Sequence, residues 1–111
     1  MALQQGAWPP SVPISSLPAR GRAVCAGVID SVTIMPADRP PEFSAIVTDH
    51  ELPGILTDGL NHRVRLVWIG RRRVPGILAG TRLRFEGMVS QRAGLPTIYN
   101  PRYEIIGTQE S

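Results

Sequence analysis

Apolar and polar positions alternate along most of this chain, and they rarely recur at helical spacing. Residues 62–69 (HRVRLVWI) are the clearest case. In an extended strand, Val64, Leu66 and Trp68 share one face, and Arg63, Arg65, Val67 and Ile69 share the other. Residues 81–91 repeat the pattern, with Leu83, Phe85, Gly87 and Val89 opposed to Arg82, Arg84, Glu86 and Met88. Residues 20–35 are rich in small and β-branched side chains and have no helical period, which predicts a long first strand. A strand of that length must bend, and Gly27 stands at its middle, where a kink or bulge is expected. Residues 42–48 (EFSAIVT) predict a short second strand. Residues 95–106 predict a fifth, interrupted at Asn100-Pro101, where proline demands an edge position or a bulge.

The intervening segments carry turn chemistry. Residues 36–41 (PADRPP) form a proline-rich turn, and residues 92–94 a tight one. Residues 49–61 read as a loop with room for one helical turn at 55–56, and residues 70–80 as a connector broken by Gly70, Pro75, Gly76 and Gly80. Pro9, Pro10, Pro13 and Pro18 exclude a helix or a central strand over residues 1–18. That segment is expected to be a Pro-rich extended arm, with Trp8, Val12, Ile14 and Leu17 available to lie on the domain or on a partner. The folded domain is expected over residues 19–107, with a polar tail at 108–111. A length of 111 residues accommodates one domain. Five two-faced strands with almost no helix predict an all-β protein closed into a small barrel. The five-stranded Greek-key OB-fold fits this pattern, with an SH3-like barrel as the alternative.

Charge adds to the picture through its placement. All twelve basic residues are Arg, and the net charge is only +3. Between Asp58 and Glu86, however, there is no acid, while seven Arg occur: Arg63, Arg65, Arg71, Arg72, Arg73, Arg82 and Arg84. The guanidinium fork pairs with phosphate bidentately and stacks on bases, so such a window is the electrostatic footprint of a nucleic-acid binder. A solvated strand face in an Arg-rich protein gives the same composition.

The run GTRLRFEGMVSQRAGLPTIYNPRYEII (residues 80–106) resembles the end of an OB-fold of the RecG wedge-domain type, and RVRLVWIGRRRVPGILAGTRL (residues 63–83) is similar to the third strand and connector of that group. Residues 20–106 as a whole resemble the small stand-alone OB-fold nucleic-acid-binding proteins of high-GC actinobacteria. The longer segment at 49–61 departs from the short Asp-Gly turn of that pattern. The resemblance implies a fold and a ligand class, and not a helicase activity.

An OB-fold binds single strands across its second and third strands, between the loops that follow its first and fourth strands. On that frame Arg63 and Arg65 point outward from the third strand, Arg71, Arg72 and Arg73 crowd one corner, and Arg39 and Arg92 lie in the two flanking loops. Arg82 and Arg84 lie further from the groove. Tyr99 and Tyr103 are the candidate stacking aromatics, a Tyr at a barrel end serving equally well as a hydrogen-bonded lid. Trp68, Phe43 and Phe85 fall on core faces. The expected partner is single-stranded DNA or RNA, bound with low sequence specificity. The alternative is an adaptor whose barrel or Pro-rich arm docks an acidic protein.

Enzymatic and metal chemistry find no support in the motifs. His50 and His62 lie twelve residues apart without a ligand cluster, and no phosphate-binding loop or nucleophile elbow occurs. No cofactor is expected. Cys25, the single cysteine, sits among Val24, Ala26 and Val28 and reads as a small core residue. No stretch approaches the apolar length of a membrane span, and the N-terminus lacks the pattern of a signal peptide, so a cytoplasmic location is expected.

Overall fold

The structure, a computed structural model, describes residues 10–48 and 62–108. The expectations placed on Trp8, on the segment 49–61 with its helical turn and on residues 109–111 lie outside the described residues. Six strands follow in order: β1 (Gly21–Ile34), β2 (Glu42–Thr48), β3 (Arg63–Ile69), β4 (Thr81–Arg92), β5 (Leu95–Tyr99) and β6 (Arg102–Thr108). The expected fifth strand is thus two, parted at Asn100-Pro101, and its second half takes in Thr108, which the sequence places in the tail. Among the described residues the helical content is one 3₁₀ turn, Ile14–Ser16. No helix in that part of the chain is long and apolar enough to cross a membrane.

The strands close into a five-stranded barrel in the order β1-β2-β3-β5-β4, with β4 returning to β1. Every pairing is antiparallel except β3 with β5, which runs parallel through Arg65↔Thr97, Leu66↔Ile98 and Val67↔Tyr99. Closure depends on β1 serving two neighbours. Its first half pairs with β4 (Gly21↔Val89 to Val28↔Arg82) and its second half with β2 (Val28↔Thr48 to Ile34↔Phe43). Gly27 lies at the changeover, where a Cβ would overlap the carbonyl oxygen of Thr48 and come within 2.7 Å of Val47 Cγ1. The glycine therefore permits a close backbone approach. The bulge itself lies further along, where the register shifts between Ile29 and Ser31.

Two left-handed residues, Ala93 (φ 53°) and Gly94 (φ 84°), turn β4 into β5, as a two-residue hairpin requires. Asn100 (φ 50°) makes the break between β5 and β6. Its amide N–H donates to the carbonyl of Val67 at 2.6 Å, and its side-chain oxygen accepts the N–H of Ile69 at 3.0 Å, so the break is tied to the end of β3. Strand β6 then continues along β4, from Glu86↔Arg102 to Thr81↔Thr108.

Alternation decides the core. Phe43, Ala45 and Val47 from β2, Val64, Leu66 and Trp68 from β3, Leu83, Phe85 and Val89 from β4, and Ile98 from β5 are all buried with Cys25 and Ile29 of β1. Trp68 is inside, as its parity predicts, between Phe43 (5.9 Å between ring centroids) and Tyr103 (5.7 Å, edge-on). Tyr103 caps this cluster and donates its hydroxyl to the carbonyl of Pro75 at 3.1 Å, which makes it the lid residue of the two tyrosines. Val74 and Ile77 bring the connector over the barrel. The described part of the arm is docked. The N–H of Val12 donates to the carbonyl of Val24 at 2.8 Å, and Ile14 is buried in the core.

Candidate nucleic-acid interface

The outward faces of β2, β3 and β5 form one surface, because these strands are consecutive neighbours in the barrel. Parity points Glu42, Ser44, Ile46 and Thr48 on β2, Arg63, Arg65, Val67 and Ile69 on β3, and Leu95, Thr97 and Tyr99 on β5 to this side, although Val67 and Thr97 are themselves fully covered. Glu42 is the only acid in the three strands. The β1–β2 turn, which carries Arg39, borders one end of the surface, and the β4–β5 hairpin, which carries Arg92, borders its side. Along β3 the surface is about 20 Å long at about 3.3 Å per residue.

Six of the seven expected Arg contacts divide into two kinds, and Arg92 stands apart from both. Arg63 is exposed at the start of β3 and has no ionic or hydrogen-bonded partner among the described residues. It borders a cleft of about 510 Å³ between the arm (Ile14, Ser15, Leu17) and the starts of β3 and β5. Arg39, Arg71 and Arg73 are likewise exposed, with no side-chain partner among the described residues.

Arg65 and Arg72 are committed to the protein. Arg65 Nη1 donates to the carbonyl of Arg92 at 2.7 Å and to Thr97 Oγ1 at 3.3 Å, fastening the β4–β5 hairpin across β3. Arg72 is more fully used. Its Nη1 donates to the carbonyls of Met35 (3.3 Å) and Pro36 (3.0 Å), and its Nη2 to those of Ala37 (3.2 Å) and Arg39 (2.9 Å). The planar fork satisfies four carbonyls of a proline-rich turn that has few amides of its own to offer. Arg72 is thereby a staple between the connector and the β1–β2 turn, and it holds Arg39 beside Arg71 and Arg73.

Arg92 reaches from the hairpin to Tyr99 and Glu42 on this surface. Arg92 Nη1 donates to the Tyr99 hydroxyl at 3.2 Å, and its guanidinium carbon lies 6.0 Å from the ring centroid. Arg92 Nη2 also lies 3.7 Å from Glu42 Oε2. Nothing local in the sequence points to this pairing of Glu42, fifty positions from Arg92. The signal present in the sequence was its parity: with Phe43 inside, Glu42 must point outward.

The opposite side of the barrel is differently arranged. Glu86 on β4 bridges Arg102 (2.7 Å) and Arg22 (3.5 Å), and Arg84 pairs with Glu104 at 3.2 Å. The acid-free window of the sequence is therefore split by alternation and closure. Its β3 and connector residues border the β2–β3–β5 surface, while Arg84 faces a carboxylate that β6 supplies from twenty residues away.

Among the described residues no group of three or more His, Cys, Asp and Glu is arranged to hold a metal ion. Cys25, the single cysteine, is buried. Comparison of the chain with protein-family models, with curated proteins and with solved structures gives no match.

Proposed function

We propose that this protein is a non-enzymatic OB-fold module that binds single-stranded DNA or RNA, with little sequence preference, across the outer face of β2, β3 and β5. The fold assignment is supported by the barrel order, by the parallel β3–β5 pair and by the long first strand shared between β2 and β4. In an OB-fold the second and third strands carry the ligand, and the loops after the first and fourth strands flank it.

One observation carries the functional reading: the exposed guanidinium groups of Arg63, Arg92, Arg71, Arg73 and Arg39 border a single face whose three strands contain one acid, whereas the far side is ion-paired. Phosphates of a single strand would pair with these five groups, and Tyr99 supplies an aromatic face for a base. Arg65 and Arg72 shape the surface and do not contact the strand. The scarcity of outward aromatic rings favours binding led by phosphate contacts over base readout.

The test is fluorescence anisotropy of labelled single-stranded DNA, single-stranded RNA and duplex DNA over a range of salt. Five phosphate contacts on a single strand correspond to a slope of about −3.5 in log K against log salt. Arg63→Glu and Arg71→Glu should each weaken single-strand binding at least tenfold while the thermal melt stays unchanged. A salt-independent affinity, or full binding by the double charge-reversal variant, would refute the reading and favour a surface for an acidic protein partner.

A further inference from the structure

The position of Glu42 is at odds with an otherwise cationic surface. It is the one carboxylate on the three strands of the proposed groove, at the start of β2 opposite Ile69, and its side chain reaches Arg92 of the β4–β5 hairpin at 3.7 Å. Its side chain is 21% exposed and that of Arg92 is 42% exposed, so the pair is accessible to solvent. Beneath the same face Val67 is fully buried although its parity is outward, which requires cover from neighbouring side chains. Tyr99, its register partner on β5, stays 42% exposed and holds Arg92 through its hydroxyl.

Carboxylate and phosphate are recognised by the same donors, since each presents oxygen acceptors to a guanidinium fork. We infer that Arg92 and the Tyr99 hydroxyl form a phosphate subsite, and that the Glu42 carboxylate is its occupant in the free protein. This rests on the proposed single-strand binding. An incoming phosphodiester takes Arg92 from Glu42 and leaves the carboxylate to water. A loose pair at 3.7 Å between partly exposed groups is readily exchanged in this way. Displacing Arg92 from above the ring also opens the face of Tyr99 to a base. Glu42 thus acts as a specificity-determining residue: it holds Arg92 in place and disfavours weak polyanions, which must compete with it.

The consequence is that removing the carboxylate strengthens binding. Glu42→Gln keeps the size and the outward position of the side chain. Its affinity for a fifteen-residue oligothymidylate should rise about three- to tenfold, because no carboxylate then competes with the phosphodiester for Arg92, while the number of phosphate contacts stays the same. Arg92→Gln should cost about twofold in the wild-type background and about tenfold in the Glu42→Gln background, because only there is Arg92 unopposed. Glu42→Asp, which keeps the charge, should stay near wild type. On the wild-type protein itself, NMR resonances of the Arg92 guanidinium and the Tyr99 ring should shift on titration with the same oligomer, and this measurement needs no variant to fold. If the wild type binds and Glu42→Gln binds no tighter, or Arg92→Gln costs the same in both backgrounds, or the two sets of resonances do not move, the subsite is overturned and the proposed function stands. If the wild type binds no single strand, both fall.

Discussion

Replacing Arg72 by Ala separates a structural guanidinium from a ligand-binding one. The substitution removes four hydrogen bonds to the carbonyls of Met35, Pro36, Ala37 and Arg39, two of them at 3.0 Å or less and two at 3.2–3.3 Å. The turn is at the surface, so the carbonyls regain water and no buried acceptor is stranded. The loss is the net worth of the bonds and not a desolvation penalty. A hydrogen bond to a charged group contributes about 1.5–3 kcal/mol where it is well shielded, and much less in water. Counting the two short bonds near 1 kcal/mol each, and setting the two long ones against the entropy of holding the side chain still, gives about 2 kcal/mol. With a urea m-value of about 2 kcal/mol/M, the unfolding midpoint should fall by about 1 M. Arg72→Lys should recover less than half of this, because an ammonium presents donors around one point and cannot span four carbonyls as the fork does. Circular dichroism against urea is the assay. A midpoint within about 0.3 M of wild type for Arg72→Ala, or full recovery by Arg72→Lys, would show that the staple contributes nothing and would return Arg72 to the set of available phosphate contacts.

Other positions give equally direct tests. Gly87→Ala places a Cβ against Ile98 Cγ2, and Ile98 is fully buried, so the variant should lose about 1–3 kcal/mol in urea unfolding; an unchanged midpoint would mean that the β4–β5 core relaxes freely. Ile14→Ala should lose about 2–3 kcal/mol and make residues 10–18 more susceptible to limited proteolysis, since Ile14 is the arm's buried anchor; equal cleavage rates would show that the arm does not depend on it. Arg84→Ala, on the ion-paired side, should change stability by less than about 1 kcal/mol and leave single-strand affinity within twofold; a tenfold loss of binding would move the interface to that side.

Period-two alternation made the barrel legible. It states which face each side chain takes, and that sufficed to put Trp68 inside, Arg63 outside and the bounds of β2, β3 and β4 within one residue of the structure. Alternation is silent on what lies across the gap between elements, and that is where the reading of the site changed. Arg65 reaches the carbonyl of a residue 27 positions away, and Arg72 reaches carbonyls 33–37 positions away. Arg92 meets Glu42 across fifty residues. The Arg65 and Arg92 contacts exist because β5 lies parallel to β3, and those of Arg72 because the antiparallel β2–β3 pair sets the connector against the β1–β2 turn, long-range events with no local signature. Gly27 shows the same limit: its sequence position suggests a kink or bulge, whereas the bulge falls at Ile29–Ser31 and Gly27 instead admits the close approach of the Thr48 carbonyl, which depends on how β2 lies against β1. A charge run in a barrel sequence therefore overstates the cationic surface in a definite way. Strand residues divide between opposite sides, connector residues are drawn into satisfying turn carbonyls, and only the remainder is available to a ligand. Here that remainder is Arg63, Arg71 and Arg73 from the window, joined by Arg39 and Arg92 from two distant turns. A polyanion would meet a surface assembled from four segments of the chain, not the contiguous stretch that first draws the eye.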